Sequence, residues 1–258
     1  IAGLGGVGGR HLINLTRLGI GAFNVAEFDQ VEVQNFNRQT CATVSNLNRS
    51  KVDVMMDQAC DINPELTISA FRDGLTPDNL DAFLDGVDLY VDGLDFFALP
   101  ARRMIFEACA RRGIPAMTTA PIGMGVAHLN FIPGNISFER YFDFLPGDTD
   151  ENFLKFLIGL SPTMVHMGYL VDPTRANFPE RKVPSTSMGC YLCAGVAGVE
   201  ALKILLGRGI VKSAPYAIQF DVYKGRCAIT NRHGGNRHWK SRLIYFFAKR
   251  NFKKMKTN

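Results

Sequence analysis

The sequence predicts an α/β protein built on a doubly wound, mainly parallel sheet with a C-terminal antiparallel extension. Three observations predict it. A glycine-rich turn, Gly3 to Gly9, separates a strand end from a helix with apolar spacing. Strand and helix signals then alternate as βαβαβαβ, the order of parallel strands joined by crossover helices. A terminal hairpin pattern, YAIQFDVYKGRCAITN, follows a long crossover.

Ile1-Ala2 reads as the end of a first strand, and the absence of an initiator Met implies an upstream segment. HLINLTRLGI places Leu12, Leu15 and Leu18 on one helical face, and Gly19 and Gly21 end the helix. AFNVAEFD is the second strand, followed by the polar loop VEVQNFNRQT. A helix is expected from about Ser50 to Cys60, before Asn63-Pro64. LTISAFR is a strand, and Thr76 is the expected N-cap of a helix reaching Phe83. VDLYVDGLD is a strand with a polar end. LPARRMIFEACARRG is a helix closed by Gly113, IPAMTTA the next strand, and VAHLNFIPG a strand turning away. Residues 135–187 read as irregular, long enough to be a functional crossover or lid. Cys190 to Leu206 is a strongly apolar helix.

At 47% hydrophobic and 21% charged, the chain is globular and not disordered. The six Cys show no disulfide framework, which points to a reducing, cytoplasmic setting. No apolar run is expected to reach the roughly 18–20 residues that span a bilayer. Of the 29 Lys and Arg, nine lie in residues 232–258, where there is no Asp or Glu; residues 1–231 therefore carry 20 against 24 acids, net −4. The expected organisation is a body at 1–231 and a basic tail at 232–258. The tail is either a solvated helix or a contact for RNA, anionic lipid or an acidic partner.

Gly3, Gly5, Gly6 and Gly8 fit G-x-G-G-x-G between strand and helix. Glycines there let backbone approach phosphates, and a helix N-terminus favours their charge. Glu27 stands 24 residues beyond Gly3, close to where a ribose-binding acid falls, with Asp29 as rival on the same strand face. Asn35, Arg38 and Gln39 are followed by Lys51. Hydride transfer needs no such cationic clamp, whereas a triphosphate and a leaving pyrophosphate do. Asp92 and Asp95 stand at a strand's carboxyl end. Asp95 either holds Mg²⁺ beside phosphates or caps the next helix.

Taken together, these residues resemble the E1-like (ThiF/MoeB) family of ATP-dependent adenylyltransferases, from Ile1 to about Thr230. The family pattern is matched by the four glycines, by Glu27 and Asp29, by Asn35-Phe36-Asn37-Arg38-Gln39, by Lys51 and by Asp95. The resemblance implies a Rossmann-like fold, ATP and Mg²⁺ as cofactors, and a homodimer. Arg38 and Lys51 would act on the phosphates, Glu27 or Asp29 on the ribose, and Asp95 on Mg²⁺. A carboxylate on a ubiquitin-like or sulfur-carrier protein, or on a peptide, would be adenylated. A modified tRNA is the alternative substrate, and a nucleotide-binding pseudo-enzyme the alternative role.

Three features depart from the family. Glu27 replaces the usual aspartate. The Arg that many members carry in an N-terminal segment is outside this chain. The paired C-x-x-C motifs of zinc-holding relatives are reduced to Cys190 and Cys193, so no structural zinc is expected. No Cys lies between Cys109 and Cys190, which favours adenylation without an enzyme thioester. Cys190 is either a thiol activated at a helix N-terminus or a small buried hydrophobe. Asp148, Asp150, His166 and Arg175 are the unassigned polar residues of the crossover.

Overall fold

A computed structural model describes residues 1–147, 150–169 and 185–256. The helices are α1 (Gly8–Arg17), α2 (Lys51–Ile62), α3 (Leu80–Phe83), α4 (Leu99–Arg112), α5 (Phe138–Phe142), α6 (Asp150–Leu160), α7 (Ser187–Leu205) and α8 (Trp239–Lys256). The strands are β1 (Ala22–Ala26), β2 (Thr67–Phe71), β3 (Tyr90–Asp92), β4 (Ala116–Ile122), β5 (Gly125–Phe131), β6 (Tyr216–Asp221) and β7 (Arg226–Asn231).

β1 and β2 pair in parallel, as do β3 and β4. β5, β6 and β7 add on antiparallel, each to its predecessor. Ala2 bridges in parallel to Ala26 on one side and Asp92 on the other. The order is therefore β2-β1-Ala2-β3-β4-β5-β6-β7. The chain leaves Ala2 toward β1 and later crosses to β3 on the other side. That reversal is a topological switch point, where open α/β sheets bind ligands.

Alternation along the strands feeds two apolar layers. Tyr90 and Ala116 face one layer with Phe106, Phe131, Phe138 and Phe142; Val91 and Met117 face the other with Leu12, Leu15, Met55 and Ala197. The first layer is aromatic: Phe106 stacks on Phe138 at 4.2 Å and meets Tyr90 edge-on at 5.4 Å. Each such pair contributes about 0.5–1.5 kcal/mol beyond area burial.

Three expectations change. Residues 135–187 are not irregular throughout, because Phe138, Tyr141, Phe142, Phe153 and Phe156 bury themselves by forming α5 and α6. The cap of α3 is Asn79, not Thr76; the Asn79 side chain accepts from the Thr76 N–H instead and closes a turn ahead of a four-residue helix. α7, at 19 residues, is long and apolar enough to cross a bilayer by length and composition. It packs here along α1, β4 and β5, and carries the buried Glu200.

The segment from Arg232 to Lys249 does not simply leave the body. The Arg232 guanidinium is buried, donating to Ile158 O at 2.8 Å, Asn236 Oδ1 at 3.1 Å and the Ser241 hydroxyl. α8 lies against α6.

Candidate functional site

The site is built where Ala2, β1 and β3 end side by side. Gly3 follows Ala2 with φ +80°, and a Cβ there would stand 2.5 Å from Gly93 O. A Cβ on Gly8 would stand 1.8 Å from Gly3 O. Only glycine permits this three-way backbone contact, which turns the chain from strand into α1. The N-terminus of α1 has no side-chain cap and no acid in its first turn. Its positive end is thus left for an anion. Gly5 lies beside Gln39, and Gly6 is covered by Arg38 and Cys190, with Cys190 Sγ 3.1 Å from where its Cβ would be.

Glu27 and Asp29 are separated by their surroundings. Glu27 is buried, and its carboxylate accepts Leu4 N at 2.9 Å, Phe28 N at 2.9 Å and Asp29 N at 3.0 Å. Both of its oxygens serve the glycine loop and the end of β1. Asp29 is half-exposed and pairs with Lys51 at 2.8 Å, while Lys51 itself is buried. Lys51 opens α2, whose N-cap is Ser50.

Arg38 stands on the loop between β1 and α2. Its guanidinium donates to Gln34 O at 3.2 Å and Asn37 Oδ1 at 2.9 Å. Asn35 is buried and accepts Glu32 N at 2.9 Å, so its side chain folds the 3₁₀ turn Val33–Asn35. Asp95 is exposed beyond β3, and its Oδ1 accepts Phe97 N at 2.9 Å. That bond fixes a turn before α4. The N-cap of α4 is Ala98, so Asp95 is not a helix cap.

Two arginines escaped the sequence reading. Arg102 pairs with the buried Asp92 at 2.7 Å, and Thr118 donates to the same oxygen at 2.7 Å. Arg102 also donates to Leu94 O and Asp95 O at 2.7 and 3.1 Å, so it holds the segment that presents Asp95. Its place in a run of two arginines hid this. Arg10 donates to Arg38 O at 3.0 Å and Ser187 Oγ at 3.2 Å, and lies 3.6 Å over the Tyr191 ring. It ties the Arg38 loop to α7.

Burial pushes the Cys190 thiol up, against the pull of Arg10 and Arg38, and pushes Cys193 higher still. Both thiols are fully buried. Of the two readings of Cys190, the small buried hydrophobe is the one that fits, because desolvation outweighs the nearby cations. Among the described residues, no group of three or more His, Cys, Asp or Glu stands close enough to hold a metal. In the crossover, His166 is buried beside Ser161 at 3.3 Å, and Asp150 lies in the first turn of α6. Asp148 and Arg175 lie outside the described residues.

Fold and site together define an open-sheet α/β protein with a glycine-rich loop and an uncapped helix end at its switch point. Residues 1–241 match the ThiF family model. The chain belongs to the ThiF family of E1-like enzymes. It is 34% identical over 124 residues to the tRNA threonylcarbamoyladenosine dehydratase of Escherichia coli K12, covering 48% of this chain and 46% of that protein. It is 30% identical over 125 residues to the sulfur carrier protein ThiS adenylyltransferase of the same organism, covering 48% and 49%. The chain spans about half the length of the curated relatives it matches. Its fold is similar to Escherichia coli MccB solved with ATP, with a TM-score of 0.64 and 17% identity over 89% of this chain and 61% of that one.

Proposed function

We propose that this protein adenylates a carboxylate, with ATP as co-substrate and Mg²⁺ as cofactor. One observation carries the reading. The uncapped end of α1, Arg38 beside Gly6, Lys51 at the start of α2 and Asp95 after β3 all stand on segments that follow the carboxyl ends of Ala2, β1 and β3. A hydride-transfer site has no use for two cations beside the phosphate loop.

The residues fit a nucleotide. The loop has no side chains at Gly5 and Gly6, and the α1 dipole is unopposed. Asp95 offers a carboxylate oxygen of the kind Mg²⁺ accepts together with phosphate oxygens. When bound, the ion neutralises phosphate charge. Asp29 is the acid left for the ribose, since Glu27 is committed to the loop. Gln39 lines the floor beside Gly5. A substrate carboxylate oxygen attacks the α-phosphorus, the bond to the β-phosphate oxygen breaks, and pyrophosphate carries away its electron pair. Arg38 and Lys51 stabilise the charge that gathers on the phosphates, which is worth about 10²–10³ in rate for one well-placed donor.

The substrate we propose is a protein or peptide C-terminus, supported by the likeness to the ThiS adenylyltransferase. A second reading, a carboxylate on modified tRNA, is supported by the likeness to the dehydratase. We also infer a homodimer, supported by Met188, Tyr191, Val199 and Leu206 exposed along one line of α7 and the turn after it. The six free cysteines suit a cytoplasmic setting.

The test is ATP–pyrophosphate exchange, with peptide and with tRNA as separate substrates. Exchange that needs Mg²⁺ and falls at least about 100-fold in Arg38→Ala supports the reading. NADH binding without MgATP binding, by calorimetry, overturns it.

A further inference from the structure

The last helix carries an apolar face that the body leaves uncovered. On α8, Trp239, Leu243, Phe246 and Phe247 are 65%, 51%, 61% and 55% exposed. Their spacing, i, i+4, i+7 and i+8, puts them on one side of the helix. Lys240 borders that stripe on one side and Arg242 on the other, both exposed, and Arg250 continues it. Residues 232–258 contain no Asp or Glu.

The opposite side of α8 is pinned. Ser241 is buried and takes a hydrogen bond from Arg232. The Tyr245 hydroxyl donates to Glu151 at 2.5 Å, and Lys249 pairs with Glu151 at 2.5 Å. The rotation of α8 is therefore set, and the stripe is held outward. Four large apolar side chains in one solvent-facing row mark an interaction surface.

We propose that this face of α8 binds an anionic lipid surface, lying in the headgroup region with the four apolar side chains toward the acyl chains. Charge and apolarity argue for this occupant together. A nucleic acid would satisfy Lys240, Arg242 and Arg250 but leave Leu243 and the phenylalanine pair in water. A lipid interface takes the apolar row inward and meets the flanking cations with phosphate, the arrangement of amphipathic interfacial helices. Nothing in this inference depends on the adenylation reading.

Trp239 is the only tryptophan in the chain, so its emission reports this face alone. The full chain is mixed with phosphatidylcholine vesicles, with and without an equimolar share of phosphatidylglycerol. The expected result is a blue shift, quenched by bromine-labelled acyl chains, on the anionic vesicles only. Phe246→Ser with Phe247→Ser loses the shift. Lys240→Gln with Arg242→Gln weakens partitioning about 25-fold, near 5-fold for each cation removed. Circular dichroism and MgATP calorimetry on the same samples keep a folding defect or a failed nucleotide site apart from a failed lipid contact. A folded protein that gives no shift on anionic vesicles overturns the proposal. So does an equal shift on neutral vesicles, or a shift with RNA in place of vesicles.

Discussion

The Glu27 carboxylate and the Leu4 amide, 23 residues apart in sequence, meet at 2.9 Å inside the protein. An acid at the end of β1 thus braces the glycine loop from beneath, and the same carboxylate also holds the Phe28 and Asp29 amides. Glu27→Ala removes the shared acceptor of three N–H groups. Each buried donor left unpaired costs about 1–3 kcal/mol. The expected outcome is a loss of at least about 2 kcal/mol in denaturant unfolding, with weakened MgATP binding. Glu27→Asp has one methylene less reach and should behave as a partial version. Nucleotide affinity unchanged in Glu27→Ala would show that the brace is dispensable.

The glycine contact makes a sharper contrast. In Gly93→Ala the new methyl meets Gly3 O at 2.4 Å and Gly8 Cα at 2.6 Å, both backbone. The loop cannot keep its shape, and MgATP binding should be lost. In Gly195→Ala, on α7, the methyl meets nothing within 4 Å. That helical position should gain up to about 1 kcal/mol. Thermal melting and calorimetry on the two variants read both signs.

Arg102 should prove indispensable for a different reason. In Arg102→Met the Asp92 carboxylate stays buried without its ion partner. Removing one member of a buried pair costs about 3–5 kcal/mol. Unfolding in urea should show a loss of that order. A loss under about 1 kcal/mol would mean that Thr118 and the Leu94 amide suffice.

Acid should weaken the fold through two histidines. Burial, then the nearby His128, pushes His11 down to about 3. Burial pushes His128 down to about 4, although Glu200 pulls it up; Lys203 adds to the lowering. Unfolded histidine titrates near 6.5. Below that pH the unfolded chain takes up protons that the fold refuses. The stability is therefore fully present above about 6.5 and is lost as pH falls toward 4, at about 1.4 kcal/mol per pH unit for each histidine. Melting curves from pH 7 to 4.5 should show it, and His128→Leu should flatten the slope.

The local signals were legible. Gly3 to Gly8 and the β1–α2 loop sit within a few residues of what they build, so spacing alone located the strand-to-helix turn and the loop beside it. Ser50 and Gly113 punctuate helices by side-chain chemistry that is visible in sequence. Roles fixed by distant partners were not legible. Glu27 and Asp29 look alike until Leu4 and Lys51 arrive from elsewhere in the chain. Arg102 reads as a surface cation until Asp92 closes on it. α5 was hidden because it is only five residues long, and α6 because it buries side chains on all sides rather than along one face.

Ala2 joins Ala26 and Asp92, partners 24 and 90 positions further along. The two parts of the sheet meet at the segment Ile1 to Gly3, which bonds to the β1 side through Ile1 O and the Gly3 amide and to the β3 side through Ala2 O, and the glycine loop begins there. The β1–β2 half can gather from near neighbours, but the loop takes shape only when the far half closes over Ala2. Because the Gly93 backbone packs directly on Gly3 and Gly8, the shape of the loop is set by both parts of the sheet together.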